Sequence, residues 1–376
     1  MVEWKEYKYK DLFKWNSGKP FEKEGTQYPV YGSNGVIGYS DTFNYSNRII
    51  LGRVGAYCGS VNYCSESFFA TDNTLITECD ETRILYQYAF YMLGTSKLNS
   101  FAGGAAQPLI TQSILKHLKC SLPPLPTQQK IASILSAYDN LIQNYKKQIE
   151  ALQTAASELY KEWFVRFRFP GWQNAKFENG IPNGWKEYRI KDLCQINKNT
   201  VSNKETKKEI FYLDTGSITE NVIDLFETYI LEEAPSRARR IVKKNSIIFS
   251  TVRPNQKHYG ILKNIPENLI VSTGFAVFDT KFDIANILYF FLSSHDFVDY
   301  CQMIAEGAVA TYPSIKPEEM GKIKVLLPPI DIAIKLNQSF EAFFLRIENL
   351  KEQITNLTQQ RDLLLPRLMS GKLEVK

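Results

Sequence analysis

The stretch Thr127–Phe164, TQQKIASILSAYDNLIQNYKKQIEALQTAASELYKEWF, decides the fold. Apolar side chains recur at Ile131, Leu135, Tyr138, Ile142, Tyr145, Ile149, Leu152, Ala156, Leu159 and Trp163. The steps alternate between four and three residues, the heptad seam of a coiled coil and narrower than the stripe of an ordinary surface helix. Gln143, Lys146, Lys147 and Glu150 leave the intervening faces polar. The spacing predicts one long helix with Thr127 as N-cap, because a hydroxyl there accepts from the unpaired N–H groups of the first turn. Pro126 and Phe169-Pro170-Gly171 close its two ends.

A seam this long needs a partner helix, and the chain contains one. Leu336, Phe340, Phe343, Ile347, Leu350, Ile354, Leu357, Arg361, Leu364 and Leu368 repeat the alternation, each 205 residues after its counterpart. Only Arg361 interrupts the apolar series. The tripeptides Leu122-Pro123-Pro124 and Leu327-Pro328-Pro329 precede the two copies. The simplest physical reading is that the two helices bury their seams against each other.

The duplication extends outward from the helices. Trp4-Lys5-Glu6-Tyr7, then Lys10-Asp11-Leu12, returns as Trp185-Lys186-Glu187-Tyr188, then Lys191-Asp192-Leu193. Arg48–Leu51 and Thr74–Thr77 read as buried strands, with Ile247–Ser250 and Leu269–Ser272 as their counterparts. Helices are expected over Thr82–Ser100 and Phe282–Ile304, followed by small-residue loops at Ala102–Pro108 and Ala305–Ala308. The predicted fold class is α+β, with two similar α/β domains, 1–124 and 169–329. They alternate with two long helices, 125–168 and 330–376, packed as an antiparallel coiled coil with an internal pseudo-twofold duplication. A period near 200 residues marks duplicated domains and not a solenoid. A seam from Ile131 to Trp163 spans roughly 48 Å at 1.5 Å per residue, about a turn and a half of B-DNA. Such a rod, with a domain at each end, is a ruler.

Composition narrows the function. The 376 residues suffice for two or three domains. No apolar run approaches bilayer length and the first residues lack a signal-peptide pattern, so a cytoplasmic protein with no membrane partner is expected. Cys58, Cys64, Cys79, Cys120, Cys194 and Cys301 lack C-x-x-C spacing, which fits reduced thiols better than disulfides or zinc. His117, His258 and His295 are isolated, and no phosphate-binding P-loop is present. Gly32–Gly38 reads as turn chemistry in a recognition loop. Amino-methyltransferases flank Pro-Pro with a polar and an aromatic residue, but here the flanks are Leu122 with Leu125 and Leu327 with Ile330. The pairs are stiff lead-ins to helices. Neither catalytic nor metal-binding residues are expected.

Basic and amide side chains point to nucleic acid. Arg237, Arg239, Arg240, Lys243 and Lys244 cluster, preceded by Lys198, Lys204, Lys207 and Lys208. Phosphate contacts need such charge, and base reading needs forked donors and amides. Arg253, Asn255, Gln256, Lys257 and His258 supply them after a predicted strand, and Arg53 and Tyr57 take the corresponding place in the first half.

The sequence resembles the specificity subunit of type I restriction–modification systems over essentially its whole length. Leu159–Gly171 running into Ile181-Pro182-Asn183-Gly184-Trp185 is similar to that family's exit from its central helix. Leu363–Leu373 resembles its C-terminal helix ending, and Leu122–Pro126 with Gln128, Gln129 and Ile131 the start of its central conserved region. The second copy, Ile330–Lys335, has no glutamine.

The resemblance implies that each domain is a target-recognition domain reading one half of a bipartite, asymmetric site in double-stranded DNA. It also implies that the helices set the gap and dock two modification subunits, which restriction subunits can join. S-adenosylmethionine, ATP and magnesium then belong to those partners, and this chain carries no cofactor. Chemistry and position nominate Ser33, Asn34, Arg53, Tyr57 and Gln107 in the first half as DNA contacts. In the second they nominate Arg253, Asn255, Gln256, Lys257, His258 and Tyr312, with Arg237, Arg239 and Arg240.

Overall fold

A computed structural model describes residues 3–21, 24–104, 107–201, 208–307 and 313–375. It divides into two compact units, Met1–Tyr145 with Gln353–Lys376, and Lys146–Glu352.

Unit 1 begins with strand β1 (Lys5–Lys8) and continues through β2 (Phe13–Ser17), β3 (Tyr28–Gly32) and β4 (Gly35–Ser40). Then come β5 (Tyr45–Gly52), β6 (Val61–Ala70) and β7 (Thr74–Cys79). Helices α1 (Tyr86–Thr95) and α2 (Gln112–His117), strand β8 (Lys119–Leu122) and the long helix α3 (Leu125–Phe164) follow. Six strands form one sheet in the order β2-β7-β5-β6-β3-β4, in which β3 runs parallel to β6. Ile49, Leu51 and Leu75 on one face join Tyr88, Ala89 and Met92 of α1 in the core.

In unit 2 a short hairpin, β9 (Phe177–Glu178) and β10 (Ile181–Pro182), leads to β11 (Lys186–Arg189), α4 (Ile190–Leu193) and β12 (Cys194–Ile196). Next are β13 (Glu209–Leu213), a second hairpin of β14 (Ile218–Thr219) and β15 (Val222–Ile223), and β16 (Glu227–Ile230). Strands β17 (Ala238–Ile241), β18 (Ile247–Ser250), β19 (Tyr259–Ile261), β20 (Leu269–Ser272) and β21 (Phe275–Thr280) complete the sheets. Helices α5 (Ala285–Leu292), α6 (His295–Gly307) and α7 (Pro317–Lys322), strand β22 (Lys324–Leu327) and the long helix α8 (Ile330–Met369) close the chain.

The repeat is visible in the pairings. β1 runs antiparallel to β8 with Lys5 opposite Leu122, and β11 to β22 with Lys186 opposite Leu327. Even the ion pairs match, Lys119 to Glu6 at 2.8 Å and Lys324 to Glu187 at 2.6 Å. The sheet order β12-β21-β18-β19 repeats β2-β7-β5-β6, and β13 pairs with β20 in parallel as β3 does with β6. Leu269–Ser272 therefore matches the end of β6, and not Thr74–Thr77 as the sequence suggested; Phe275–Thr280 takes that place. The cause is residues 262–268, which break the counterpart of β6 into β19 and β20 and split one six-stranded sheet into two of four.

The long helices also differ from expectation at their starts. α3 begins at Leu125, so Thr127 lies inside the first turn and not at the cap. Pro126 does not delay the helix, because a first-turn proline lacks only an N–H that has no helical partner anyway. The carbonyl of Pro124 starts the ladder, accepting from Thr127 N and Gln128 N at 2.9 and 3.0 Å. The expected helix over Phe282–Ile304 is two, α5 and α6, parted at Ser293 and Ser294. That over Thr82–Ser100 shortens to α1 plus a 3-10 turn at Leu98–Phe101.

Every seam position on both helices is buried or half-buried, whereas Ile134, Leu141, Leu345 and Leu363 off the seam are exposed. In unit 1 Ile131 and Leu135 share a core with Leu364 and Leu368; in unit 2 Ala156 and Tyr160 share one with Leu336 and Phe340. The start of each helix thus meets the end of the other, an antiparallel pair. Among the described residues no helix is long and apolar enough to cross a membrane.

Candidate nucleic-acid interface

In unit 1 three loops converge. Ser33 and Asn34 form the turn between β3 and β4, where Gly32 pairs with Gly35 and Gly35 takes a φ of 95° that favours glycine. The Ser33 hydroxyl donates to Asn73 O at 2.8 Å and accepts from Arg53 N and Val54 N, each at 3.2 Å. Ser60 donates back to Ser33 O at 2.5 Å. The packing is close enough that a Cβ on Gly52 would stand 2.6 Å from both Ser33 O and Tyr57 O. The third loop arrives where Gly55 N donates to Pro108 O, Ile110 N donates to Arg53 O, and Val54 bridges to Leu109. The five first-half candidates are therefore one cluster with divided tasks. Ser33 pins loops together, while Asn34, Tyr57 and Gln107 are exposed. Arg53 is half-buried with Nε unpartnered among the described residues. Cys58 beneath them donates its thiol to Arg53 O at 3.1 Å, and burial pushes that thiol's pKa up.

Unit 2 builds the same frame between β18 and β19. Arg253 N donates to Pro313 O, Ile315 N donates to Thr251 O, and Val252 bridges to Ser314. Matching bond for bond sets Gly55, and not Arg53, opposite Arg253. Matching by residue type misplaced the register by two. It also places Gln107 opposite Tyr312, each one residue before its proline; Tyr312 itself lies outside the described residues, as do Lys204, Lys207 and Ala308. Arg253, Asn255 and Gln256 are exposed around a 3-10 turn at Pro254–Gln256, and Asn255 N donates to Gln302 Oε1 at 3.1 Å. Lys257 and His258 face the β14–β15 hairpin. Lys257 pairs with Glu220 at 2.7 Å, and His258 Nδ1 donates to Ile218 O at 2.6 Å.

Residues 1–154 and 182–359 match the family model of the type I restriction modification DNA specificity domain. The chain belongs to that family. It is 26% identical over 316 residues to the type I restriction enzyme MjaIX specificity subunit of Methanocaldococcus jannaschii, covering 78% of this chain and 70% of that one. It is 33% identical over 121 residues to the EcoprrI specificity subunit of Escherichia coli, covering 32% and 30%. The S subunit of a type I restriction-modification system from M. genitalium shares the fold, with a TM-score of 0.65 at 18% identity over 98% of this chain and 96% of that one.

In this specificity subunit the arginines in and just before β17 divide. Arg237 is exposed and its carbonyl accepts from Thr273 N, next to Gly274, whose carbonyl holds Thr251 at the root of the Arg253 loop. Arg239 and Arg240 are half-buried farther along the strand, where backbone bonds run to Asn199–Val201 and not to that loop. Sequence reasoning missed Ser60 and Thr251, whose hydroxyls brace the loops, and Asn73, whose backbone carbonyl accepts from Ser33. Their signal is geometric, since each acts through a backbone group distant in sequence. All six cysteines are unpaired, and among the described residues no group of His, Cys, Asp and Glu is placed to hold a metal ion.

Proposed function

We propose that this specificity subunit reads a bipartite, asymmetric double-stranded DNA site, one half-site per globular domain. Residues 1–124 and 169–329 are the two target-recognition domains, and the long helices set the gap and dock two modification subunits. One observation carries the reading: the same loop frame is built twice, bonded alike and bearing different side chains, Asn34, Tyr57 and Gln107 on one and Arg253, Asn255 and Gln256 on the other. A shared frame with distinct donors is what two unlike half-sites require. Arginine pairs bidentately with guanine, asparagine and glutamine pair with adenine, and the lysines and remaining arginines hold phosphates.

In this reading the chain is a non-catalytic cytoplasmic subunit that supplies address, spacing and scaffold. S-adenosylmethionine sits on the modification subunits, and ATP and magnesium on restriction subunits that join them. Methylome sequencing of cells co-expressing the chain with its modification subunit tests it. The expected result is methylated adenine in a split motif with a fixed unspecified gap. An associated complex that leaves no new methylation contradicts the reading.

A further inference from the structure

Each globular body is tied to the long helices by two polar contacts, and the contacts are chemically unlike in the two units. In unit 1 Gln128 on α3 is 1% exposed. Its Oε1 accepts from Leu85 N at 3.1 Å, and its Nε2 donates to Arg83 O at 2.8 Å and Pro123 O at 2.9 Å. Leu85 is the N-cap of α1 and has no capping side chain of its own, so an amide from another helix satisfies that end. Three turns along α3, Asp139 accepts from Tyr91 Oη of the same α1 at 2.6 Å and from Arg361 of α8 at 2.6 Å.

In unit 2 the residue in Gln128's place is Ala333, and the amide has moved. Asn337 on α8, 2% exposed, accepts from Asn286 N at 2.9 Å and donates to Asp283 Oδ1 at 3.0 Å. Ile284, the N-cap of α5, likewise has no capping side chain. One turn on, Glu341 accepts from Asn286 Nδ2 at 3.1 Å and from Lys263 Nζ. Both domains are thus held by a buried amide at a helix start and a carboxylate farther along. The two copies reached this arrangement with residues that do not align.

We propose that Gln128, Asp139, Asn337 and Glu341 are positioning residues that set the gap between the half-sites. Apolar side chains tolerate sliding by fractions of a residue, whereas a buried amide that loses its partners leaves unsatisfied groups at a cost larger than the bond's own gain. Two such ties at different heights fix a domain both along and around its helix. None of these bonds reaches Asn34, Tyr57, Arg253 or Gln256, so the residues act on spacing and not on base identity. The inference rests on the reading of one half-site per domain.

The test uses the full chain assembled with its modification subunits. Methylation rates are measured on duplexes carrying the wild-type half-sites at the native gap and at gaps one and two base pairs shorter and longer. Gln128→Met and Asn337→Leu are expected to keep both half-sites while preference for the native gap over its neighbours falls about tenfold, the scale of one lost buried hydrogen bond. Tyr91→Phe removes a single hydroxyl, keeps the ring and is expected to fold if the stronger variants do not; its expected fall is about threefold. Equal slowing at every gap, or an unchanged preference, overturns the proposal. A wild-type complex with no preferred gap instead contradicts the half-site reading, and the proposal with it.

Discussion

Gly55 and Arg253 occupy one position in two loops of the same design. Each N–H donates to a proline carbonyl, Pro108 or Pro313, and each residue has a positive φ, 74° and 46°. Glycine takes that backbone freely, whereas an arginine there is strained. The attachments diverge in the same manner. The layer of unit 1 that holds Asp139 and Arg361 has Phe344 and Ala156 at the aligned positions of unit 2, where the charge has moved to Lys263 and Glu341. The backbone frame is common to the two halves, and the side chains placed on it are not. In the proposed reading, such a duplicated frame addresses two unlike half-sites without two unlike folds.

The contrast can be broken at the attachments first. The Lys263 side chain is 7% exposed, against 27% for Arg361, and besides Glu341 it holds Asn245 Oδ1 at 2.8 Å and lies 4.8 Å from the centre of the Phe344 ring, so removing it takes away three contacts at once. Lys263→Met is expected to lower stability by about 3 kcal/mol in urea denaturation. Arg361→Ala, which installs the unit 2 residue in unit 1, should cost only about 1 to 2 kcal/mol, and a double-mutant cycle with Asp139→Asn should show coupling of about 1 kcal/mol. Equal losses from the two single variants would erase this difference between the units.

The loops give the next effect, with opposite signs in the two halves. Arg253→Gly relieves the backbone and should stabilise the protein by about 1 kcal/mol while weakening recognition of one half-site only. Gly55→Ala should destabilise by about 1 kcal/mol through φ alone, since a Cβ there meets nothing within 4 Å. Thermal unfolding beside methylation of each half-site variant reads both.

The smallest effect is on acid. Burial raises the Glu341 carboxyl, but the bonds from Lys263 and Asn286 outweigh it and leave the pKa below the ordinary 4.5. That stability is present above the unfolded pKa and is lost as pH falls below about 4.5 through the folded value. Lys263→Met should flatten this acid limb of urea stability, and an unchanged limb would show the pair contributes nothing to it.

Much of the fold was legible because periodicity and exact offsets survive duplication. The seam, its 205-residue copy and the Trp-Lys-Glu-Tyr strands needed no structure. Insertions hid the rest. Residues 262–268 displaced the strand match, and the loop register slipped because Arg53 and Arg253 look alike while only backbone bonds pair Gly55 with Arg253. Gln128 stood out as part of a motif. Asn337 did not, since it does the same work from a position that aligns with Ala132.

In the proposed reading the paired helices set the gap between the two half-sites. Inserting four residues after Gln148 and four after Gln353 lengthens both helices by about 6 Å, which is one to two base pairs of B-DNA. Methylome sequencing of cells carrying the doubly extended chain and its modification subunit should then return the same two half-sites with a wider gap. Altered half-sites, or an unchanged gap, would contradict the account.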